Sequence, residues 1–450
     1  MNGIRELAEI LHTRTGAAAD TQLIEKLRLR VVDTIAAWIA ATQTVEGKAL
    51  IAFRDAMRAK RQTTAHNLED DLATHCALVR LSEIDDIHLR SMTTPASIAI
   101  PAALTLAVGL PNVNSADVPA AMLGGYEAMT RLGLAINGAE ALYRGIWPTY
   151  FGAGFATAAV AARLLRLSQS QTAHALALAL TMVSPSVGQH HAATTARWFS
   201  VGNAARNGLT AALAAQSGFT ADLEILRSRL FPEVYGIEPD IAVMADHGAL
   251  LFPDVSIKPW CAARQTMAAT QGLREILKTG VRADDITEIT AYVLPPHFKM
   301  INHGITPGDR ASFLTSLLYQ LALSALQPAW LASLDLAAEA PLSLLQAFMA
   351  RVKVVADEAL LADYPARWPA RIVVETVSGR RELHVDYIPG DPERPFTQAD
   401  VETKFRHFAG PVLGDSTAKF LQSSLASFPS GDSISSLMRD LNSVMASVVG

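Results

Sequence analysis

Stretches rich in alanine and leucine, with apolar residues at helical spacing and short polar breaks between them, constrain this chain more than any other feature. They cover 22–41, 96–109, 115–136, 151–166, 169–183 and 201–216, and apolar positions three and four apart give each stretch one face to bury against a neighbour. The pattern predicts a helical domain over 1–265. Short polar side chains mark some of the starts: Ser168 precedes the stretch at 169 and Ser115 precedes Asp117, where a hydroxyl can accept from a free helix amide. Gly202 and Asn203 are expected to serve the backbone at another helix start. Gly152, Ala153, Gly154, Ala156, Ala158 and Ala159 fit a central helix that its neighbours approach closely.

After residue 266 the periodicity changes. A helix over 266–278 is followed by a β-branched, alternating run over 286–293, and further strands are predicted over 350–355, 370–377 and 382–388. The last two are joined through Ser378 and Gly379, and the group reads as a small antiparallel sheet. PGDPERP (389–395) then punctuates the chain, and 398–408 and 432–449 return to helical spacing. The expected fold is therefore mainly α with a smaller α+β domain: 1–265 helical, 266–404 α+β, and 405–450 helices returning to the first domain.

Composition narrows the functional classes. Half of the residues are hydrophobic and 18% are charged, which suggests an apolar face covered by a second copy of the chain. The net charge of −5 is interspersed and offers no basic patch for nucleic acid. Cys76 and Cys261 are the only cysteines; they form neither a disulfide framework nor a zinc-binding spacing, which fits a reducing compartment. The first residues alternate charge with apolar positions, unlike a signal peptide, and no run reaches the roughly 20 apolar residues a membrane span needs. A cytoplasmic location and no membrane partner are expected. No Gly-rich phosphate loop, GxSxG or HExxH string is present.

Four strings occur in order: EIDDIHL (83–89) with the following TTPASIAIPAALTLA, VGNAARNGLTAALAAQSGFT (201–220), SIKPWCAARQTMAA (256–269) and PGDPERPFTQADVETKF (389–405). Together they resemble the MmgE/PrpD family over nearly the whole chain. The resemblance implies a large helical domain built from the N- and C-terminal parts, with a smaller α+β lid inserted between them and an active site in the cleft. It further implies a homodimer that needs no organic cofactor. The implied activity is that of a lyase or isomerase moving a proton on a small carboxylate substrate, by dehydration, decarboxylation or epimerisation. Such chemistry needs a general base near the carbon, cations or donors on the carboxylates, and an acid for any leaving group.

The resemblance also selects residues. Asp85 and Asp86 fall in the acidic string, the first as a substrate-orienting group and the second as an acid–base group; the structural alternative is that one caps the next helix and the other is solvated. His88 follows them with an imidazole that titrates in the useful range. Lys258 matches a cationic position at the family's cleft and is expected to hold a carboxylate, while Arg264 on the same turn is either a second cation for the substrate or, the favoured reading, a salt-bridge partner without contact to it. Arg197 stands where the family often has lysine, and its planar guanidinium suits binding a carboxylate and not accepting a proton. Two His-Pro pairs of the family are replaced by Thr94-Pro95 and Trp147-Pro148, so Thr94 and Trp147 are read as substrate-facing in place of imidazoles. His190 and His191, just before the Arg197 segment, are candidates to restore one, and Tyr150 offers a phenol. Arg310, next to Asp309, is a further carboxylate-binding candidate from the lid. The paired histidines lack a third ligand at metal-binding spacing, so no metal is expected. A non-catalytic carboxylate-binding or scaffold protein of the same fold is the competing reading.

Overall fold

In a computed structural model, residues 2–15, 20–61, 67–183, 194–334, 342–425, 428–429 and 431–447 are described. The helices follow the sequence pattern closely. They are α1 (Gly3–Thr13), α2 (Thr21–Ala41), α3 (Val45–Lys60), α4 (Leu68–Leu81), α5 (Ala96–Gly109), α6 (Val118–Ala135), α7 (Pro148–Leu164), α8 (Gln169–Thr181) and α9 (Ala196–Gln216). Next come α10 (Arg264–Lys278), β1 (Ile286–Val293), α11 (Leu317–Leu326), β2 (Val352–Ala356), β3 (Ala370–Thr376) and β4 (Gly379–Val385). The chain closes with α12 (Gln398–Leu413), α13 (Asp415–Leu425) and α14 (Gly431–Ser447). Two compact units result: one takes the described residues before 184 together with 195–255 and those from Thr397 on, and the other takes Ser256–Phe396.

In the first unit α7 is the central helix, buried along almost its whole length and packed on α5, α6, α8 and α9. Its small residues are what permit this. A Cβ on Gly208 of α9 would sit 2.2 Å from the Gly154 carbonyl oxygen of α7, and one on Gly202 would sit 2.3 Å from the Ala73 carbonyl oxygen of α4. Gly202 and Asn203 therefore lie inside α9 and not at its start, and Gly202 is a point of backbone approach between helices. Ser168 caps α8 as predicted, with a full capping box: its Oγ accepts from the Gln171 amide at 3.2 Å while the Gln171 side chain accepts from the Ser168 amide at 3.0 Å. The expected Ser115 cap is displaced by one residue. Asn114 accepts from the Ala116 amide at 3.1 Å, and Ser115 begins a short 3-10 turn that leads into α6. The C-terminal helices join this unit, α12 against α2 and α14 against α5. Among the described residues no helix is long and apolar enough to cross a membrane.

The second unit is built on a four-stranded sheet in the order β2-β1-β3-β4. β3 and β4 form the predicted hairpin and β1 pairs with β3 antiparallel, but β1 and β2 run parallel. The sheet is thus mixed and not antiparallel. Parallel neighbours need a long crossover, and here the connection carries α11. Ile289, Ala291, Val293, Ile372 and Val374 are buried, and α10 packs against β1, β3 and β4 as well as α11.

Candidate active site

The acidic string follows α4 as irregular backbone, bracketed by two non-glycine residues in the left-handed region, Glu83 (φ 58°) and Met92 (φ 55°). Such residues persist where surrounding contacts hold them, and here the contacts are ionic and hydrogen-bonded. Arg80, from the last turn of α4, pairs with Glu83 at 2.9 Å and with both oxygens of Asp85 at 3.3 Å. Asp85 is accordingly buried and ion-paired, not solvated as its structural alternative supposed. Asp86 turns the other way: its Oδ1 accepts from the Ala96 amide at 2.9 Å and its Oδ2 from the Tyr126 hydroxyl at 2.8 Å. It caps the uncapped start of α5 from a distance, and burial pushes its carboxyl up to about 7 against the lowering pull of Arg30, the Ala96 amide and Tyr126. Both of its oxygens are engaged, so Asp86 serves the fold more directly than a substrate.

His88 is held within its own turn. The Ser91 amide donates to its Nδ1 at 3.2 Å, Ser91 Oγ lies 2.9 Å from the same nitrogen, and the His88 amide donates to the Thr93 carbonyl at 2.8 Å. An Nδ1 that accepts from an amide bears no proton, and burial, helped by Arg90, lowers the imidazole pKa to about 3. The ring is therefore a neutral brace for the 88–93 turn. A folded-state pKa below the unfolded value of about 6.5 means that the unfolded chain binds the proton first, so stability is full above pH 6.5 and declines as pH falls toward 3. From this group alone the loss at pH 5 is about 2 kcal/mol. His88→Gln, which keeps an acceptor for the Ser91 amide but cannot titrate, is expected to shrink the difference in unfolding free energy between pH 7.5 and pH 5 by that amount. An unchanged difference in urea titrations at the two pH values would show that His88 is protonated in the folded chain.

A second group of predicted residues comes together around the start of α7. Trp147 is the residue before the helix, and its ring meets that of Tyr150 edge-on with centroids 5.6 Å apart. Arg197, on the first turn of α9, lies between two indoles, with Cζ 5.0 Å from the Trp147 ring centre and 4.9 Å from that of Trp198. Burial raises the Tyr150 phenol to about 12, while the fields of Arg80 and Arg197 pull it down and those of Glu83 and Asp85 push it up. It is a protonated donor at neutral pH. Thr94 completes the neighbourhood: its amide donates to Thr149 Oγ1 at 3.0 Å, and its hydroxyl is 3.2 Å from Thr149 Oγ1 and 3.1 Å from Ser97 Oγ. The first unit thus gathers Thr94, Trp147, Tyr150 and Arg197, with Asp85 reaching the group through its charge. His190 and His191 lie outside the described residues.

The second unit holds the remaining predicted cations. Lys258 is 2% exposed, and its strand-like segment is fixed on both sides: the Ile257 amide donates to the Gly390 carbonyl at 2.9 Å, and the Cys261 amide to that of Leu331 at 3.1 Å. Arg264 is the structural residue expected of it, donating to both oxygens of Asp391 at 2.7 and 3.0 Å. Asp391 also accepts from the Ile388 amide at 2.8 Å, so the strings 256–269 and 389–405 clasp each other. Arg310 donates to the Leu334 carbonyl at 3.1 Å and approaches Cys261 Sγ at 3.7 Å, while Asp309 caps the following helical turn by accepting from Ala311 at 3.1 Å. Among the described residues no three His, Cys, Asp or Glu side chains gather as a metal ion would require.

Arg80, Glu83, Trp198 and Thr149 are the site residues not selected by reading the sequence. Their signal is visible afterwards: Arg80 and Glu83 are charges in an otherwise apolar helix end, ALVRLSEI, and buried charges require partners.

Among the described residues the first unit thus carries buried guanidinium, carboxylate, phenol and indole groups near the start of α7, and the mixed-sheet unit carries a buried lysine. The chain belongs to the MmgE/PrpD family: residues 5–236 match the MmgE/PrpD N-terminal domain and residues 260–426 the MmgE/PrpD C-terminal domain. It is similar to two cis-aconitate decarboxylase sequences of Aspergillus terreus, one of them from strain NIH 2624 / FGSC A1156, each 28% identical over 253 residues. That likeness covers 52% of this chain and 51% of each relative, so the chain spans about half the length of the curated relatives it matches.

Proposed function

We propose that this protein is a lyase-like enzyme that moves a proton on a small carboxylate. Family membership and the likeness to cis-aconitate decarboxylase support a lyase-like role; dehydration, decarboxylation and epimerisation all remain within it. The observation that carries the reading is a buried guanidinium, Arg197, and a buried phenol, Tyr150, that both pack on the Trp147 ring. A guanidinium neutralises the substrate carboxylate and so makes its neighbouring proton more acidic, and a phenol can donate to the charge that develops. In this reading His190 or His191, close before Arg197 in sequence, supplies the base, and Lys258 is a second carboxylate-binding candidate. The enzyme works as a homodimer in the cytoplasm without an organic cofactor.

The test is exchange of solvent deuterium into a panel of small mono-, di- and tricarboxylates. At least one acid is expected to exchange, with Tyr150→Phe slowing exchange by about 100-fold or more and Lys258→Ala weakening saturation. If no acid exchanges or turns over while carboxylates still bind, the chain is a binding protein of the same fold.

A further inference from the structure

Asp85 and Asp86 are neighbours and both are buried, yet they are held in opposite ways. Asp85 is paired with the Arg80 guanidinium. Asp86, 0% exposed, has no cation within ion-pair distance among the described residues. Its two oxygens instead receive one neutral donor each, the Ala96 amide of α5 at 2.9 Å and the Tyr126 hydroxyl of α6 at 2.8 Å. Tyr126 is itself buried, and burial together with the Asp86 charge pushes its phenol up, so it stays a donor. The charged groups whose fields act on Asp86 are Arg30 of α2, which donates to the Val255 carbonyl, and Asp85 beside it. Asp33 of α2, whose field acts on Tyr126, is paired with Lys404 of α12. A buried carboxylate held by neutral donors alone ionises less readily than one with an ion-pair partner, and burial accordingly lifts Asp86 to about 7.

The same carboxylate is tied to the head of α7 by contiguous contacts. Pro95 gives α5 no side-chain cap, so Asp86 is what receives the Ala96 amide at the first turn. Thr94, two residues earlier, is fixed on both sides: Ser97 Oγ donates to its carbonyl at 2.6 Å, and its amide donates to Thr149 Oγ1 at 3.0 Å. Thr149 stands between Trp147 and Tyr150 in the sequence, on the first turn of α7. A proton added to Asp86 makes the carboxyl a donor where its hydrogen-bond partners among the described residues are donors alone. Either the Tyr126 hydroxyl then turns about, or the Ala96 amide loses its acceptor. We propose that Asp86 is a pH-sensitive positioning residue: ionised, it fixes the start of α5 and, through Thr94 and Thr149, the placement of Trp147 and Tyr150; protonated, it lets them shift. The consequence for catalysis rests on the carboxylate-enzyme reading above, whereas the shift itself does not.

Fluorine NMR of the full chain carrying 5-fluorotryptophan, titrated from about pH 5 to about pH 9, tests the proposal, with the Trp147 resonance identified by its loss in Trp147→Phe. That resonance is expected to move with a midpoint near pH 7, and Asp86→Asn, which cannot ionise, to lose the movement. Tyr126→Phe removes a donor that favours the charged form and is expected to shift the midpoint upward by about one pH unit. A titrating histidine would move the resonance in Asp86→Asn as well, so the difference between the two proteins isolates Asp86. A resonance that does not respond, a response that persists in Asp86→Asn, or an unmoved midpoint in Tyr126→Phe overturns the proposal. Should Asp86→Asn fail to fold, the Tyr126→Phe midpoint decides alone. Deuterium exchange is expected to slow on the acid side with the same midpoint, and an acid limb at another midpoint overturns the link to catalysis. Absence of all exchange with the NMR midpoint intact overturns the enzyme reading and leaves the positioning role standing.

Discussion

Replacing Lys404 with methionine is expected to lower the stability of the first unit by about 3–5 kcal/mol. Lys404 projects from α12, 4% exposed at the side chain, and its Nζ lies 2.6 Å from Asp33 Oδ1, itself on a side chain 2% exposed. The same ammonium donates to the Ile84 carbonyl at 2.9 Å. Methionine has a similar length and shape but no charge, so the variant leaves the Asp33 carboxylate buried and the Ile84 carbonyl without this donor. Burial raises the Asp33 pKa against the lowering pull of Lys404 and Arg30, so removing Lys404 raises it further. The double variant Lys404→Met with Asp33→Asn is expected to recover part of it, because both charges are then gone. Urea unfolding at neutral pH measures both. A loss under about 1 kcal/mol in the single variant would mean that water reaches the pair.

Gly390→Ala is expected to cost the second unit about 4 kcal/mol or more, in the range reserved for backbone strain and overpacking. Gly390 has φ 99°, where a side chain is strained, and a Cβ there would sit 2.1 Å from the Ile257 carbonyl oxygen. No side-chain rotation relieves a contact with backbone, so either the 389–395 turn or the segment carrying Lys258 must move. Trp260, Trp330 and Trp368 all lie in this unit, and their fluorescence during urea unfolding reports the change. A variant with wild-type stability would show that the clasp between the two strings is loose.

The helical unit was largely readable because its signal is local: apolar spacing and a cap such as Ser168 with Gln171 act over three or four residues. The sheet was readable strand by strand but not in direction, since nothing in 350–355 states which neighbour it will lie beside or which way it will run. The site divides in the same way. Arg197, Trp147 and Tyr150 were selected by their place in recognisable strings, and the structure brings them together. Arg80 escaped notice because its partners lie across a helix end, in backbone of left-handed conformation that no periodic pattern describes. Lys404 escaped because its hydrogen-bond partner, Ile84, is 320 residues away. His88 shows the same limit of local reading. Its residue type suggests proton transfer, but the Ser91 amide and complete burial decide its protonation, and those are properties of the folded turn.

The packing of α12 on α2 also sets an order in time. Synthesis proceeds from the N-terminus, so α2 and the acidic string leave the ribosome hundreds of residues before Lys404 exists. During that interval α2 can meet α4 and α5 but lacks the cover of α12, whereas Ser256–Phe396 is continuous in sequence. The unit that begins first is therefore completed last.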